Sequence, residues 1–161
     1  PKKRWDEIVK KLPSSVLPFA LLAYNYGLRR NEVMALRPED VKRDHLSLTR
    51  QLVKQGEYAP LKGRERRNVP HWYMTAAQCY KMVELAQQVH CHPCTLGDRW
   101  AEIVKDFTFH EIRHTFVTRA LNDHKARAVQ LAAGHKNIAT TMRYAHDDRD
   151  FSDETFIPEA S

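Results

Sequence analysis

The sequence predicts a mainly α domain with one small antiparallel β-sheet, and three observations carry that prediction. Apolar residues recur at helical spacing through most of the chain. A stretch between Leu46 and Pro70 alternates apolar and polar residues instead. Glycine, proline and short polar residues punctuate the two textures where helices and strands should start and stop.

Residues Trp5 to Leu12 and Val16 to Tyr26 have helical spacing, with Ser14 or Ser15 as a cap and Gly27 as a stop. A third, short helix should run from Arg30 to Leu36, because Pro38 disfavours helical geometry at the residue before it. Leu46, Leu48 and Leu52 then alternate with polar neighbours, and a second alternating stretch ends at Val69-Pro70. Between them lies the basic segment Lys62 to Arg67, which reads as a hairpin tip. Helical spacing returns from Thr75 to Val89. After a Cys-Pro interruption it resumes from Asp98 to Lys105, His110 to Leu121, Lys125 to Ala133 and Ile138 to Tyr144. No repeat at solenoid periods is visible.

With 161 residues the chain suits one domain, and 42% apolar with 29% charged residues suits a packed core rather than a disordered tail. A formal charge of +6 favours a polyanionic partner. No apolar run reaches membrane-spanning length and the start has no signal-peptide centre, so no membrane partner and a soluble, intracellular protein are expected. Cys79, Cys91 and Cys94 are too few and too uneven for a disulfide framework. His90, Cys91, His92 and Cys94 have zinc-like spacing, but no second pair follows, so free thiols are the expectation and no metal ligand is assigned. The opening Pro1-Lys2-Lys3-Arg4 reads as a solvated start.

Four islands carry chemistry. In Gly27-Leu28-Arg29-Arg30-Asn31-Glu32 a glycine ends one helix and an arginine begins the next, a setting that suits an anion, with Glu32 spaced to pair with Arg29. The second, Lys62 to Pro70, can carry a lysine into a groove as a phosphate contact or proton donor, or be a solvated turn. The third, His110 to Phe116, sets His110, Arg113 and His114 at i, i+3 and i+4 on one helix face, with Ile112, Phe116 and Ala120 on another. In the fourth, Gly134 ends a helix and frees His135 to face a ligand, Asn137 caps the next helix, and Tyr144 comes out on its last turn. Taken singly, each has a bland reading: a surface ion pair, a charged turn, core histidines, an amphipathic tyrosine.

Together the four resemble the signature of the tyrosine recombinases, the phage integrase family. Gly27, Leu28, Arg29 and Glu32 match its Gly-Leu-Arg-x-x-Glu motif, and Lys62 stands before Pro70 as the family's hairpin lysine stands before a Val-Pro proline. His110, Arg113 and His114 match its His-x-x-Arg-His motif. Gly134-His135 and Thr140-Thr141-Met142-Arg143-Tyr144 match the final one. The resemblance spans Leu21 to His146 and implies that family's catalytic-domain fold, with residues 1–161 as a single catalytic domain. The family's N-terminal DNA-gripping domain is expected to lie outside this chain.

The resemblance further implies site-specific cleavage and rejoining of double-stranded DNA through a 3′-phosphotyrosine. In that chemistry Tyr144 is the nucleophile, and Arg29, Arg113 and His135 hold the phosphate oxygens. Lys62 protonates the leaving 5′ oxygen and His110 accepts the tyrosine proton. Glu32 and His114 orient these groups, and Arg30, Arg64, Arg66, Arg67, Lys136 and Arg143 are read as DNA contacts. A phenol of pKa about 10 needs such cations to favour its phenolate. No metal or nucleotide cofactor is implied, since the phosphotyrosine conserves the bond energy. The implied assembly is a homotetramer on DNA and a monomer when isolated, in the cytoplasm of a bacterial or phage-infected cell. The tail from Asp147 to Ser161, with Phe151, Phe156 and Ile157, is expected to dock on its own or a neighbouring subunit. Two alternatives share the residue set: a type IB topoisomerase that relaxes supercoils, and an inactive DNA-binding module of the same fold.

Overall fold

A computed structural model describes residues 2–54, 56–62 and 66–145, and within them the chain is mostly helical with two small antiparallel strand pairs. The expected docking of the tail and the expected DNA contact of Arg64 lie outside these residues.

Helices α1 (Lys2–Lys11) and α2 (Leu17–Tyr26) follow the apolar spacing. α2 is the centre of the molecule: Pro18 through Tyr26 are all buried, and α4 and α6, defined below, pack on it. It ends at Gly27, whose φ of 63° is left-handed. A Cβ at Gly27 would lie 2.3 Å from the Phe116 ring, so both backbone and packing call for glycine there. The chain then leaves α2 for a single helical turn, α3 (Arg30–Val33), shorter than its spacing predicts. It is followed by a 3-10 turn at Pro38–Asp40, entered at Pro38.

The β region departs from expectation. Strands β1 (His45–Leu48), β2 (Arg50–Lys54), β3 (Glu57–Pro60) and β4 (Arg67–Pro70) form nested pairs. β2 folds back on β3, and β1 reaches around them to β4 with Leu46 opposite Val69. The hairpin turn therefore falls at Gly56, where φ is 75°. Lys62 is not at that tip; it lies in the connection from β3 to β4. The basic residues masked the true turn, because alternation over Arg50 to Pro60 is weak on strands that are largely exposed.

α4 (Ala76–Gln87) starts at a Thr75 cap whose hydroxyl accepts from the Gln78 N–H. α5 (Pro93–Ile103) begins five residues before the expected Asp98. Pro93 does not interrupt the helix but occupies its first turn, and His92 Nδ1 caps it by accepting from the Cys94 N–H at 3.2 Å. α6 (Phe109–Asp123) opens on a Thr108/Glu111 capping box, and α7 (Ala126–Ala133) ends at left-handed Gly134. α8 (Ile138–Met142) is capped by Asn137 and stops two residues short of Tyr144. The tyrosine therefore sits in the turn after the helix, its N–H bonded to the Thr141 carbonyl at 3.1 Å. Among the described residues, no helix is long and apolar enough to cross a membrane. Also among them, no group of three or more His, Cys, Asp or Glu residues is placed to hold a metal ion.

Candidate active site

The site forms where two helix C-termini meet. α2 and α7 end at Gly27 and Gly134, and their last carbonyls carry the negative end of each helix dipole. Arg113, on the buried face of α6 and only 3% exposed, answers both at once: Nη1 donates to the Gly27 carbonyl at 2.5 Å and Nη2 to the Ala133 carbonyl. Burial and the neighbouring Arg29 and Arg67 charges bring this guanidinium down to about 9, still cationic at neutral pH.

Glu32 gathers the other arginines. Its carboxylate accepts from the Arg29 backbone N–H at 2.8 Å and from Arg29 Nη1 at 2.8 Å, which shapes the turn into α3. Arg67 on β4 meets the same carboxylate in bidentate fashion at 2.9 and 2.7 Å. Glu32 is 1% exposed, and burial alone would raise its carboxyl. The Arg67 hydrogen bonds and charge outweigh that and, with Arg29 and Arg113, hold it at about 2.

His135 follows Gly134. Its Nδ1 shares a 2.8 Å hydrogen bond with the hydroxyl of buried Thr141, and its ring lies nearly parallel to that of Tyr144, with centroids 6.3 Å apart. Burial and the positive charges of Arg113, Arg29 and Arg67 lower it to about 4, so the imidazole is neutral at pH 7. Gln130 braces this loop by donating to the His135 carbonyl at 3.1 Å. Neither Thr141 nor Gln130 was picked out as a site residue from sequence. A buried glutamine on a helix leaves no periodic signal, whereas Thr141 stood inside the final motif without an assigned partner.

His114 also stacks on the Tyr144 ring, at 5.0 Å, and its Nδ1 shares a hydrogen bond with the tyrosine hydroxyl. The expectation from sequence was that His110 takes the tyrosine proton; the phenol instead meets His114, one helical turn further along α6. His110 is edge-on to His114 at 4.7 Å and lines the larger of two grooves. Partial desolvation and the charges of Arg113 and Arg29 lower its pKa, against an opposing pull from Glu111.

Those grooves, of 590 and 310 Å³, meet at Arg29 and Lys62, which line both. The larger also takes in Arg30, whose guanidinium lies against Gly97 of α5, and the smaller takes in Arg66 and Lys136. Arg143 is exposed beside Tyr144 and lines neither. Arg67, expected from sequence to contact DNA, is turned inward: its side chain is 8% exposed, and three of its donors are committed to Glu32 and to the Ala132 carbonyl, the last at 2.9 Å.

These shifts predict how stability depends on pH. Glu32 falls from an ordinary 4.5 to about 2 on folding, so its contribution is complete above 4.5 and lost as pH drops through 2. That loss should be about 3 kcal/mol. The carboxylate is faced by Arg29, Arg67 and Arg113. His135 falls from 6.5 to about 4, and because its neutral form is the folded one, its contribution is complete above 6.5 and declines toward 4. It is faced by Arg113, Arg29, Arg67 and His114. Urea unfolding at pH 7, 5 and 3 should show that His135→Gln flattens the upper step and Glu32→Gln the lower; unchanged slopes in both variants would refute the assignment.

Comparison with known proteins finds one family and a shared fold. Residues 95–150 match the Phage integrase family. The chain is 30% identical to the tyrosine recombinase XerC of Vibrio cholerae across 88% of this chain and 50% of that protein. It is 28% identical to a tyrosine recombinase of Pseudothermotoga lettingae across 78% of this chain and 47% of that one. The chain thus spans about half the length of the curated relatives it matches. In fold it is similar to a lambda integrase (75-356) dimer bound to a COC' core site, with a TM-score of 0.70 at 14% identity over 96% of this chain and 61% of that one. It is also similar to XerA recombinase, with a TM-score of 0.63 at 21% identity over 91% and 59%. Residues 95–150 thus match the phage integrase family, and most of the chain is similar to tyrosine recombinases.

Proposed function

We propose that residues 1–161 form one catalytic domain that cleaves and rejoins double-stranded DNA at a specific site through a 3′-phosphotyrosine on Tyr144. The observation that carries this reading is the convergence of Arg29, Arg113 and His135 from three separate stretches of chain, with the Tyr144 ring stacked on His135. The phenol oxygen attacks the phosphorus as its proton passes to His114, the imidazole already hydrogen-bonded to it. Charge growing on the non-bridging oxygens meets Arg29, Arg113 and a neutral His135. The P–O5′ bond breaks, and Lys62 at the meeting of the grooves protonates the departing oxygen. Rejoining is the reverse, with the 5′ hydroxyl as nucleophile and Tyr144 as leaving group. Neither ATP nor metal enters, because the phosphodiester energy is held in the phosphotyrosine.

Arg30, Arg66 and Lys136 line the grooves, and Arg143 stands exposed beside Tyr144; we assign them to the DNA backbone, which makes binding salt-dependent. The proposal extends to a homotetramer on DNA and a monomer in its absence, acting in the bacterial or phage-infected cytoplasm; the DNA bound in structures of similar fold, among them the lambda integrase dimer on a core site, supports DNA as the partner.

The test is a library of nicked duplexes of random sequence, incubated with the protein in EDTA. DNA that stays attached after denaturation is sequenced, and the modified peptide is mapped. The expected result is one enriched sequence, joined to Tyr144 by its 3′ phosphate. Attachment elsewhere, or none, rejects the proposal.

A further inference from the structure

Arg67 is read from sequence as one more basic residue of a DNA-binding stretch, yet three of its five N–H donors are already committed inside the protein. Nη1 and Nη2 hold the two oxygens of Glu32, and Nε holds the Ala132 carbonyl, at 2.9, 2.7 and 2.9 Å. The same Glu32 oxygen that accepts from Arg67 Nη1 accepts from Arg29 Nη1. The stem of Arg67 also lies under the turn that carries His135: a Cβ on Gly134 would sit 2.9 Å from Arg67 Cδ and 3.2 Å from its Nε. Gly134 is left-handed, with φ at 67°, so glycine serves the backbone and also leaves room for the arginine.

We infer that Arg67 is a positioning residue for the proposed reaction. Through Glu32 it sets the Arg29 guanidinium, and through Ala132 and Gly134 it sets the loop bearing His135. Two phosphate contacts that lie over a hundred residues apart thus share one support on β4. The inference rests on the proposed DNA cleavage, since Arg29 and His135 matter only if a phosphate sits between them. The arrangement also explains why three guanidiniums can crowd together: Arg67 keeps Glu32 ionised, and that one carboxylate tempers the repulsion among Arg29, Arg67 and Arg113. Lysine cannot substitute, because a single ammonium cannot span both carboxylate oxygens and a carbonyl with a planar fork's geometry.

The test uses the full chain as wild type, Arg67→Gln, Arg67→Lys, Glu32→Gln and the Glu32→Gln/Arg67→Gln double variant. The probe is the nicked duplex recovered by wild type from the random library. At saturating protein, single-turnover attachment should slow by about 100-fold in both Arg67 variants, the scale of a catalytic group misplaced by an ångström. DNA affinity, measured in a Tyr144→Phe background, should stay within about threefold with its salt slope unchanged. The double variant should be no slower than the slower single one. A weakened affinity with the salt slope reduced by about one and the saturated rate intact would make Arg67 a phosphate contact and overturn the inference. Additive losses in the double variant would also overturn it. Should Arg67→Gln fail to fold, Arg67→Lys carries the same comparison. One arm is independent of cleavage: NMR titration of the Glu32 carboxyl should show it rising well above its wild-type value of about 2 in the Arg67 variants. An unmoved carboxyl refutes the support of Glu32 by Arg67. If wild type attaches no duplex at all, the proposed reaction fails while this titration still decides whether Arg67 sets Glu32.

Discussion

Tyr144→Phe should leave no protein-linked DNA while binding the same duplex about as tightly as wild type. The substitution removes one oxygen and keeps the ring that stacks with His114 and His135, so packing around the turn after α8 persists. Attachment needs that oxygen as nucleophile, whereas affinity comes from many phosphate contacts that the substitution does not touch. Equal attachment in both proteins would remove Tyr144 from the reaction. A companion pair separates the two histidines of α6. Because the tyrosine hydroxyl is bonded to His114, His114→Gln should slow attachment by about 100-fold or more, the usual range for losing a general base. His110→Gln should slow it less, since His110 meets the His114 ring edge-on whereas His114 bonds the hydroxyl itself. A larger loss from His110→Gln would return the proton-accepting role to it.

That reversal of the two histidines marks how far a sequence can be read here. Positions set by local rules were legible. Gly27 and Gly134 announce helix ends, Thr75 and Asn137 announce starts, and the i, i+3, i+4 spacing put His110, Arg113 and His114 on one helix. Which of two imidazoles one turn apart meets a phenol thirty residues away depends on how the turn after α8 lies against α6, and no periodicity encodes it. The same limit hid the work of Arg67. The four basic residues from Lys62 to Arg67 look alike in sequence, and only the pairing of β4 with β1 turns one of them inward to a carboxylate. Weak alternation on exposed strands hid the β2–β3 hairpin, and Pro93 looked like a break because proline both ends and begins helices. Long-range pairing, rather than composition, decided each of these.

Arg113→Lys is the substitution that should separate charge from geometry. The guanidinium spans two carbonyls, Gly27 and Ala133, at the ends of two helices that are far apart in sequence, so it ties the turn carrying Arg29 to the turn carrying His135. A lysine retains a cation but can satisfy only one of those carbonyls, and leaving the other buried without a donor should cost about 1–3 kcal/mol of stability. Urea unfolding without DNA reads that loss. The chemical loss should be larger. With one end of the span released, both phosphate-facing turns shift together, and single-turnover attachment should fall by about 1,000-fold, the upper range for removing one oxyanion donor. If the charge alone mattered, lysine would restore most of the rate despite the lower stability. A variant that stays within about tenfold of wild type at saturating DNA would therefore show that the phosphate is held by charge density and that the carbonyl span is only structural.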